Sequence, residues 1–146
     1  MSRQRVEFIN LRQAGSDALG AAARLAAHHH EQGRRVLILA RDAAEAEEMD
    51  RRLWTFDEGS FVPHALAGGP EEGREPVLIA HQPGNPNQAE ALILLHHQDP
   101  LPGGGFALLI LLLPQEEGPE LKACRALYAK LREAGQVEVV HETALP

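Results

Sequence analysis

The sequence predicts an α/β fold, in which helices cover both faces of a mostly parallel, mixed β-sheet. Short apolar runs with the length of buried strands alternate with helical segments, which is typical of strand–helix–strand units with right-handed crossovers. Residues 35–40 contain an uninterrupted apolar run, as expected for a strand covered on both faces. The 146 residues are 44% hydrophobic, so we expect residues 1–146 to form a single domain with its own core.

The first half of the chain predicts two strands, each followed by a helix. The first strand alternates apolar and polar residues, the chain breaks at Gly15, and Asp17 is a suitable N-cap for the helix that follows. Gly33 ends that helix, and Asp42 caps a second helix that is dense in Glu and Ala. The predicted elements are a strand at 6–9, a helix at 18–30, a strand at 35–40 and a helix at 43–53.

Predicted strands and helices alternate less regularly in the second half of the chain. Residues 55–74 are rich in Gly and Pro and have no sustained periodicity, so they predict a long ordered loop that carries Trp54, Phe56 and Phe61. Gly135 closes the last predicted helix. The predicted elements after this loop are strands at 76–80, 91–95, 106–113 and 136–141, and a helix at 119–134.

Composition and charge narrow the possible functions. The net charge is −7, which opposes strong binding to the phosphate backbone of nucleic acids. The single Cys124 excludes a disulfide framework and a cysteine-based zinc site. The segment that begins at Met1 and Ser2 has no signal-peptide core, and no apolar run reaches the roughly 18–20 residues that span a bilayer. We therefore expect a cytoplasmic protein that binds no membrane.

A search for catalytic, cofactor and metal motifs finds no candidate. Neither phosphate-binding glycine pattern occurs, and the turn at residues 40–43 has no glycine that would let backbone amides approach a pyrophosphate. His28, His29 and His30 are consecutive, so a helix points their rings about 100° apart and prevents all three from reaching one ion. We expect no catalytic residues, no metal and no cofactor. The alternative is a small-ligand or nucleotide-binding α/β enzyme that uses an unusual strand–helix turn.

The stretch from Leu53 to His64 collects aromatic residues in a chain where they are scarce. Aromatic residues make up 4% of the sequence, yet the only tryptophan, Trp54, falls here together with Phe56 and Phe61. These rings either tuck onto the edge of the sheet or form an exposed anchor for a partner, because aromatic side chains dominate interface hot spots. The residues alone leave both interpretations open.

The last predicted helix has a basic face. At about 100° per residue, Leu121, Arg125, Tyr128 and Arg132 lie within about 60° of one another, with Lys122 at the margin. This face is either merely solvated or a pocket for an acidic peptide, in which arginine holds carboxylates bidentately and tyrosine supplies an amphipathic wall. A separate apolar stripe should pack on the sheet, and it comprises Cys124, Leu127, Leu131 and Ala134.

Several of these segments together resemble the chi subunit family of bacterial DNA polymerase III. The most specific is the Leu-Trp … Ser-Phe-Val-Pro-His … Leu-Ala-Gly string from Leu53 to Gly68. The Gly-Arg-Arg-Val-Leu-Ile of residues 33–38, followed by an acidic helix, is similar to the same family. So is the basic last helix, which ends in Arg-Glu-Ala-Gly at Gly135. The resemblance extends across nearly the whole chain.

The resemblance implies a three-layer Rossmann-like fold without a nucleotide-binding loop. Members of the family bridge the clamp loader to the single-stranded-DNA-binding protein, SSB, and so meet nucleic acid only indirectly. One surface holds the psi subunit, which tethers chi to the clamp loader, and another holds the acidic C-terminal tail of SSB, which ends in Pro-Phe. By position, the resemblance assigns psi binding to Trp54, Phe61, Val62 and Pro63, and tail binding to Arg125 and Tyr128, with Arg132 and Lys122 as further basic residues of that site.

The sequence departs from the family pattern beside the tail site. Ala129 stands where the family often has a lysine next to the tyrosine, and Leu121 stands where a basic residue is common one turn earlier. Lys122 or Arg132 is placed to compensate. We therefore expect a tail site with altered, weaker electrostatics, in a non-catalytic accessory subunit of the polymerase.

Overall fold

The computed structural model describes residues 3–59 and 61–146, so Met1, Ser2 and the serine of the Leu53-to-Gly68 string, Ser60, lie outside the described residues. No helix of the described part of the chain has both the length and the apolar composition needed to cross a lipid bilayer. The elements are β1 (Arg5–Asn10), α1 (Leu11–Ala14), α2 (Ala18–Glu31), β2 (Val36–Leu39), α3 (Ala43–Thr55), β3 (His64–Leu66), β4 (Val77–Ala80), β5 (Ala91–Leu94), β6 (Leu108–Leu113), α4 (Pro119–Ala134) and β7 (Glu138–Glu142).

The strands form one seven-stranded sheet in the order β3-β4-β2-β5-β6-β1-β7. Every neighbouring pair is parallel, so the carboxyl ends of the strands meet at one edge of the sheet. All residues of β2, β4 and β5 are buried, which explains why these strands are continuous apolar runs rather than alternating ones. The prediction of an α/β fold with a mostly parallel sheet is confirmed, and among the described strands the pairing is parallel throughout.

Helices cover both faces of the sheet and create two apolar cores. Side chains alternate along β2, so Ile38 belongs to the core beneath α2 and α3, whereas Leu37 belongs to the core beneath α4. Helix α4 contributes Leu121, Cys124 and Leu127 to this second core. The result is three layers, with α2 and α3 on one side of the sheet and α4 on the other.

Helix α4 has the bounds that its capping residues predict. Pro119 occupies the first turn, where its missing N–H costs no hydrogen bond, and Gly135 ends the helix with φ of 68°. The predicted apolar stripe is buried only in part, because Leu131 is half-buried and Ala134 is exposed. Leu121 was predicted on the basic face but is 7% exposed. It lies at the boundary between the two faces, and its apolar side chain turns toward the sheet.

The prediction of a loop over residues 55–74 is wrong in two respects. Helix α3 continues to Thr55, so Trp54 lies in its last turn rather than in a loop. A seventh strand, β3, pairs with the edge of β4 from His64 to Leu66. This strand is held by main-chain hydrogen bonds to its neighbour, and three residues are too few to leave a readable hydrophobic period. A 3₁₀ turn at Glu72–Arg74 then leads into β4.

Candidate functional site

A cavity of about 260 Å³ opens between α4 and the carboxyl ends of β1 and β6. Its apolar floor is formed by Phe8 of β1, Leu113 of β6, and Leu121 and Cys124 of α4. Phe8 and Cys124 are fully buried, so these side chains form a fixed apolar surface at the base of the cavity. Such a site combines a preformed apolar floor with a few polar groups at its rim, which is the usual construction of a binding pocket.

Tyr128 forms one wall of this cavity and is held by contacts on three sides. Its ring meets Phe8 edge-on, with ring centroids 5.1 Å apart and planes at 89°. The ring of His141, on β7, lies 6.2 Å away. From the solvent side, Arg132 Nη1 donates a hydrogen bond of 3.4 Å to the hydroxyl, and the guanidinium lies 5.7 Å from the ring centroid. Tyr128 is therefore half-buried, with its ring against the sheet and its hydroxyl toward a cation.

Arg125 stands at the mouth of the cavity and is paired with a carboxylate. Its Nη1 and Nη2 donate hydrogen bonds of 3.1 and 3.0 Å to the two oxygens of Glu117, in the bidentate geometry that guanidinium and carboxylate groups favour. Hydrogen bonding to Arg125 holds the pKa of Glu117 below its usual value, and the nearby charge of Arg12 acts in the same direction. Glu117 in turn raises the pKa of Arg125. Both side chains are more than half exposed.

The structure brings two of the four predicted tail-site residues into one cavity. Arg125 and Tyr128 line it, Arg132 contacts Tyr128 from outside, and Lys122 is exposed without lining it. Several other lining residues were not predicted for the site, among them Phe8, Arg12 and His141 from distant segments and Glu117 from the loop before α4.

The missed arginine lies on a helix that the sequence did not predict. Helix α1 has only four residues, and it begins where the Asn10 side chain accepts a hydrogen bond from the backbone N–H of Gln13. The capping residue was the one available signal, because a helix this short has no readable apolar period. By turning the chain immediately after β1, α1 places Arg12 on the rim of the cavity.

A second surface is formed by exposed apolar side chains at the end of α3 and along β3. Trp54, Phe61 and Leu66 are 59%, 70% and 38% exposed. We call these three residues the aromatic patch. The rings of Trp54 and Phe61 lie 6.0 Å apart. Of the other predicted residues, Pro63 is half-buried and Val62 is only 2% exposed, so the Val62 side chain belongs to the core and does not reach the surface.

His64 supports the aromatic patch from below. Its ring centroid is 4.7 Å from that of Trp54, and its side chain is 1% exposed. Its Nδ1 lies 2.7 Å from the carbonyl oxygen of Val62, and its Nε2 lies 3.2 Å from a carboxylate oxygen of Asp50. The Nδ1 contact places the proton on that nitrogen. The imidazole thus lies between α3 and β3, where its ring packs beneath Trp54.

In a parallel α/β sheet, a nucleotide would be expected to bind in the crevice at the carboxyl ends of strands, here those of β2 and β5. Asp42 accepts a hydrogen bond from the backbone N–H of Glu45, so a carboxylate occupies the N-terminus of α3 and would repel a phosphate there. Glu45 Oε2 lies 2.7 Å from Nε2 of His96, and Arg41 reaches the same ring at 3.0 Å. These side chains contact one another at the crevice and give no support to the nucleotide-binding alternative.

The remaining candidates for chemistry behave as packing residues. Burial raises the pKa of the Cys124 thiol to about 11, with Glu120 adding to the effect, so the group stays protonated at neutral pH. Within residues 3–59 and 61–146, no cluster of three His, Cys, Asp or Glu side chains is arranged to hold a metal ion. The cavity beside α4, with its charged rim and apolar floor, is therefore the candidate binding site of the described chain.

Comparison with solved structures identifies the fold. The chain is similar to the C-terminal domain of Dbp5 from S. cerevisiae, solved with Gle1 and IP6, with a TM-score of 0.55 over 98% of this chain and 90% of that one. The two sequences are 14% identical, so the similarity concerns the fold alone.

Comparison with known sequences is more specific. Residues 3–138 match the family described as DNA polymerase III chi subunit, HolC. The chain is 33% identical to DNA polymerase III subunit chi of Haemophilus influenzae over 116 residues, which cover 78% of this chain and 79% of that protein. It is 37% identical to the Pseudomonas aeruginosa subunit chi over 56% of this chain and 58% of that one. For the Escherichia coli subunit, the values are 45% identity and 38% of each chain.

Proposed function

Because the chain belongs to the DNA polymerase III chi subunit family, we propose that it is a non-catalytic adaptor of the replicative polymerase in the cytoplasm. It links the clamp loader, through a psi subunit, to the C-terminal tail of SSB on the template strand. It therefore meets DNA only through SSB. The net charge of −7 is consistent with such an indirect role, since it opposes tight binding to phosphates.

The observation that carries the proposal is the cavity beside α4, with Arg125 at its mouth and Tyr128 as its wall. A tail that ends in Pro-Phe offers an aromatic side chain for the apolar floor and carboxylates for the guanidinium. Burying one phenyl ring stabilises a complex by about 2–3 kcal/mol, so a single site binds weakly. Weak binding is sufficient because SSB carries several tails, and their effective concentration raises the avidity.

The aromatic patch supports the second half of the proposal. Trp54, Phe61 and Leu66 together expose apolar surface that a partner would cover, and Trp and Phe side chains are preferred anchors at protein interfaces. The patch lies at the β3 edge of the sheet, whereas the cavity lies beside β6 and β1 near the opposite edge. A psi subunit and an SSB tail therefore do not compete for space, as an adaptor requires.

Replacing Arg125 is the first test of the proposal. Arg125→Ala should weaken binding of a synthetic SSB tail peptide by at least about tenfold in titration calorimetry, because it removes the bidentate carboxylate contact. The melting temperature should not change, since the Arg125 side chain is 61% exposed. Lys130→Ala is a matched control, because Lys130 is on the same helix, is 70% exposed and faces Asp99 instead of the cavity.

The peptide provides a second control. A tail peptide without its terminal phenylalanine should bind much more weakly to the wild-type chain, since the apolar floor then stays empty. Equal affinity of the two peptides, or of the Arg125→Ala and Lys130→Ala variants, would remove the cavity from the proposal.

A further inference from the structure

The mouth of the cavity holds an ionic cluster of which the proposed function uses only Arg125. Arg12 comes from α1, Glu117 precedes α4, and Arg125 comes from α4, and all three line the same cavity. Glu117 is the only carboxylate on this rim within the described residues, and it stands where two cations act on it. A ligand carboxylate that enters the cavity therefore meets an existing carboxylate at the position it would take.

Glu117 uses the contacts that an acidic ligand would need. Both of its oxygens are bound to Arg125, at 3.0 and 3.1 Å, and together they occupy Nη1 and Nη2 of the guanidinium. These two nitrogens form the fork that binds a carboxylate bidentately. An incoming carboxylate cannot take the same fork while Glu117 holds it.

The ion pair between Arg125 and Glu117 is exposed at the surface, so a ligand carboxylate can replace Glu117. The side chains of Arg125 and Glu117 are 61% and 64% exposed, and ion pairs in water contribute little net stability. Displacing Glu117 is therefore inexpensive, and its released carboxylate can return to solvent. A buried pair would instead resist exchange.

Arg12 supplies a second positive charge at the same place. It is exposed on the rim, and within residues 3–59 and 61–146 its guanidinium has no hydrogen-bond partner. Arg12 lines the same cavity as Glu117, and its charge adds to the lowering of the pKa of that carboxyl. It also stands in a different element from Arg125, so the two cations approach the mouth from separate walls.

We propose that Arg12 and Arg125 form a two-cation seat for carboxylates, and that Glu117 is its resting counter-ion, which an acidic peptide displaces. This inference rests on the proposed function, because it assumes that the cavity binds an acidic tail. It adds a specificity rule. A peptide must present two carboxylates close to its aromatic end, such as its C-terminal carboxylate and one acidic side chain, to replace Glu117 and engage both arginines.

The opposite role for Glu117 is that of a positioning residue, which would hold Arg125 ready for the ligand. The two roles predict opposite effects of neutralising Glu117 on the affinity for the peptide. If Glu117 competes with the ligand, neutralising it strengthens binding. If Glu117 positions Arg125, neutralising it weakens binding, because the guanidinium loses its orientation.

The experiment is titration calorimetry of the full chain with a synthetic acidic peptide that ends in Pro-Phe. Glu117→Gln should raise the affinity about two- to fivefold, the range for one exposed ion pair. Glu116→Gln is the matched control, since Glu116 is adjacent and exposed and the substitution changes the net charge by the same amount. The gain of Glu117→Gln over Glu116→Gln therefore isolates the displacement from the general loss of repulsion.

Arg12→Gln tests the second cation. It should lower the affinity roughly threefold to tenfold for the free-acid peptide, and by less for a peptide with an amidated C-terminus, which has one carboxylate fewer. Equal or lower affinity of Glu117→Gln relative to Glu116→Gln would overturn the displacement, and an unchanged affinity of Arg12→Gln would overturn the two-cation seat. Absence of any binding by the wild-type chain would refute the proposed function itself, and this inference with it.

Discussion

The two candidate surfaces use apolar side chains in opposite ways. In the cavity beside α4, apolar groups such as Phe8 form a buried floor, and charged groups such as Arg125 form the rim. In the aromatic patch, the rings of Trp54 and Phe61 are outermost, and a polar side chain, His64, is buried beneath them. If both surfaces bind as proposed, we expect the cavity to select its ligand mainly by charge and the patch to select its partner mainly by apolar contact area.

The two surfaces also belong to different layers. The patch rests on the core beneath α2 and α3, and the cavity rests on the core beneath α4. Because distant sites without shared partners contribute independently, a substitution at one surface should leave binding at the other unchanged.

Substitutions at Val62 and Phe61 should distinguish the buried residues that support the aromatic patch from its exposed surface. Val62→Ala removes two methyl groups from the core and should lower the free energy of unfolding by about 2 kcal/mol in urea denaturation. Phe61→Ala, at the adjacent and 70% exposed position, should change it by less than about 0.5 kcal/mol. Similar losses for both variants would show that Phe61 is a core residue and that the patch is not a free surface.

Trp54 should carry most of the binding energy of the patch. Trp54→Ala should weaken association with a psi subunit by about tenfold or more, as is typical of a tryptophan hot spot, without unfolding the domain. Thr55→Ala is the control, because Thr55 is exposed in the same helical turn. Binding of the SSB tail peptide should be equal in both variants. If Trp54→Ala unfolds the domain instead, the ring serves the edge of the sheet and the adaptor loses its second surface.

Because of His29 on α2, the stability of the fold should decrease at acidic pH. The ring is buried on α2, and burial, with the charges of Arg34 and His28, lowers its pKa from 6.5 to about 4. The unfolded chain therefore binds more protons than the folded one between these values, and stability is lost as the pH falls through this window.

Acidification from about pH 7 to about pH 5.5 should lower the free energy of unfolding by about 1 kcal/mol through His29. His29→Gln should remove most of this pH dependence in urea denaturation, whereas His30→Gln, at the half-buried neighbouring position, should retain it. An identical pH response in the two variants would assign the acid sensitivity to another group.

The sequence alone predicts the elements that are marked by a continuous apolar run or by strong capping residues. The apolar runs of β2 and β4 and the capped helix α4 were predicted within one or two residues, because burial on two faces and strong capping residues leave local signals. The edge strand β3 and the short helix α1 were missed, because main-chain pairing and a single cap hold them. The position of Trp54 was misjudged for a related reason, since helix ends are poorly marked when no glycine follows.

The candidate site was predictable only along one helix. The spacing of Arg125, Tyr128 and Arg132 placed them on one face of α4, since helical geometry fixes that relation. Phe8 and Arg12 come from the other end of the chain, and only the pairing of β1 with β6 brings them to the same cavity. Contacts of this kind depend on strand order, which periodicity does not contain.

Chemical-shift mapping of the isotope-labelled chain with the SSB tail peptide tests the separation of the two surfaces most directly. We expect the amide resonances around Arg125 and Tyr128 and the aromatic resonances of Phe8 to shift on titration, while the indole N–H resonance of Trp54 does not shift. A shift of the Trp54 indole resonance, with the α4 resonances unchanged, would contradict the separation of the two surfaces.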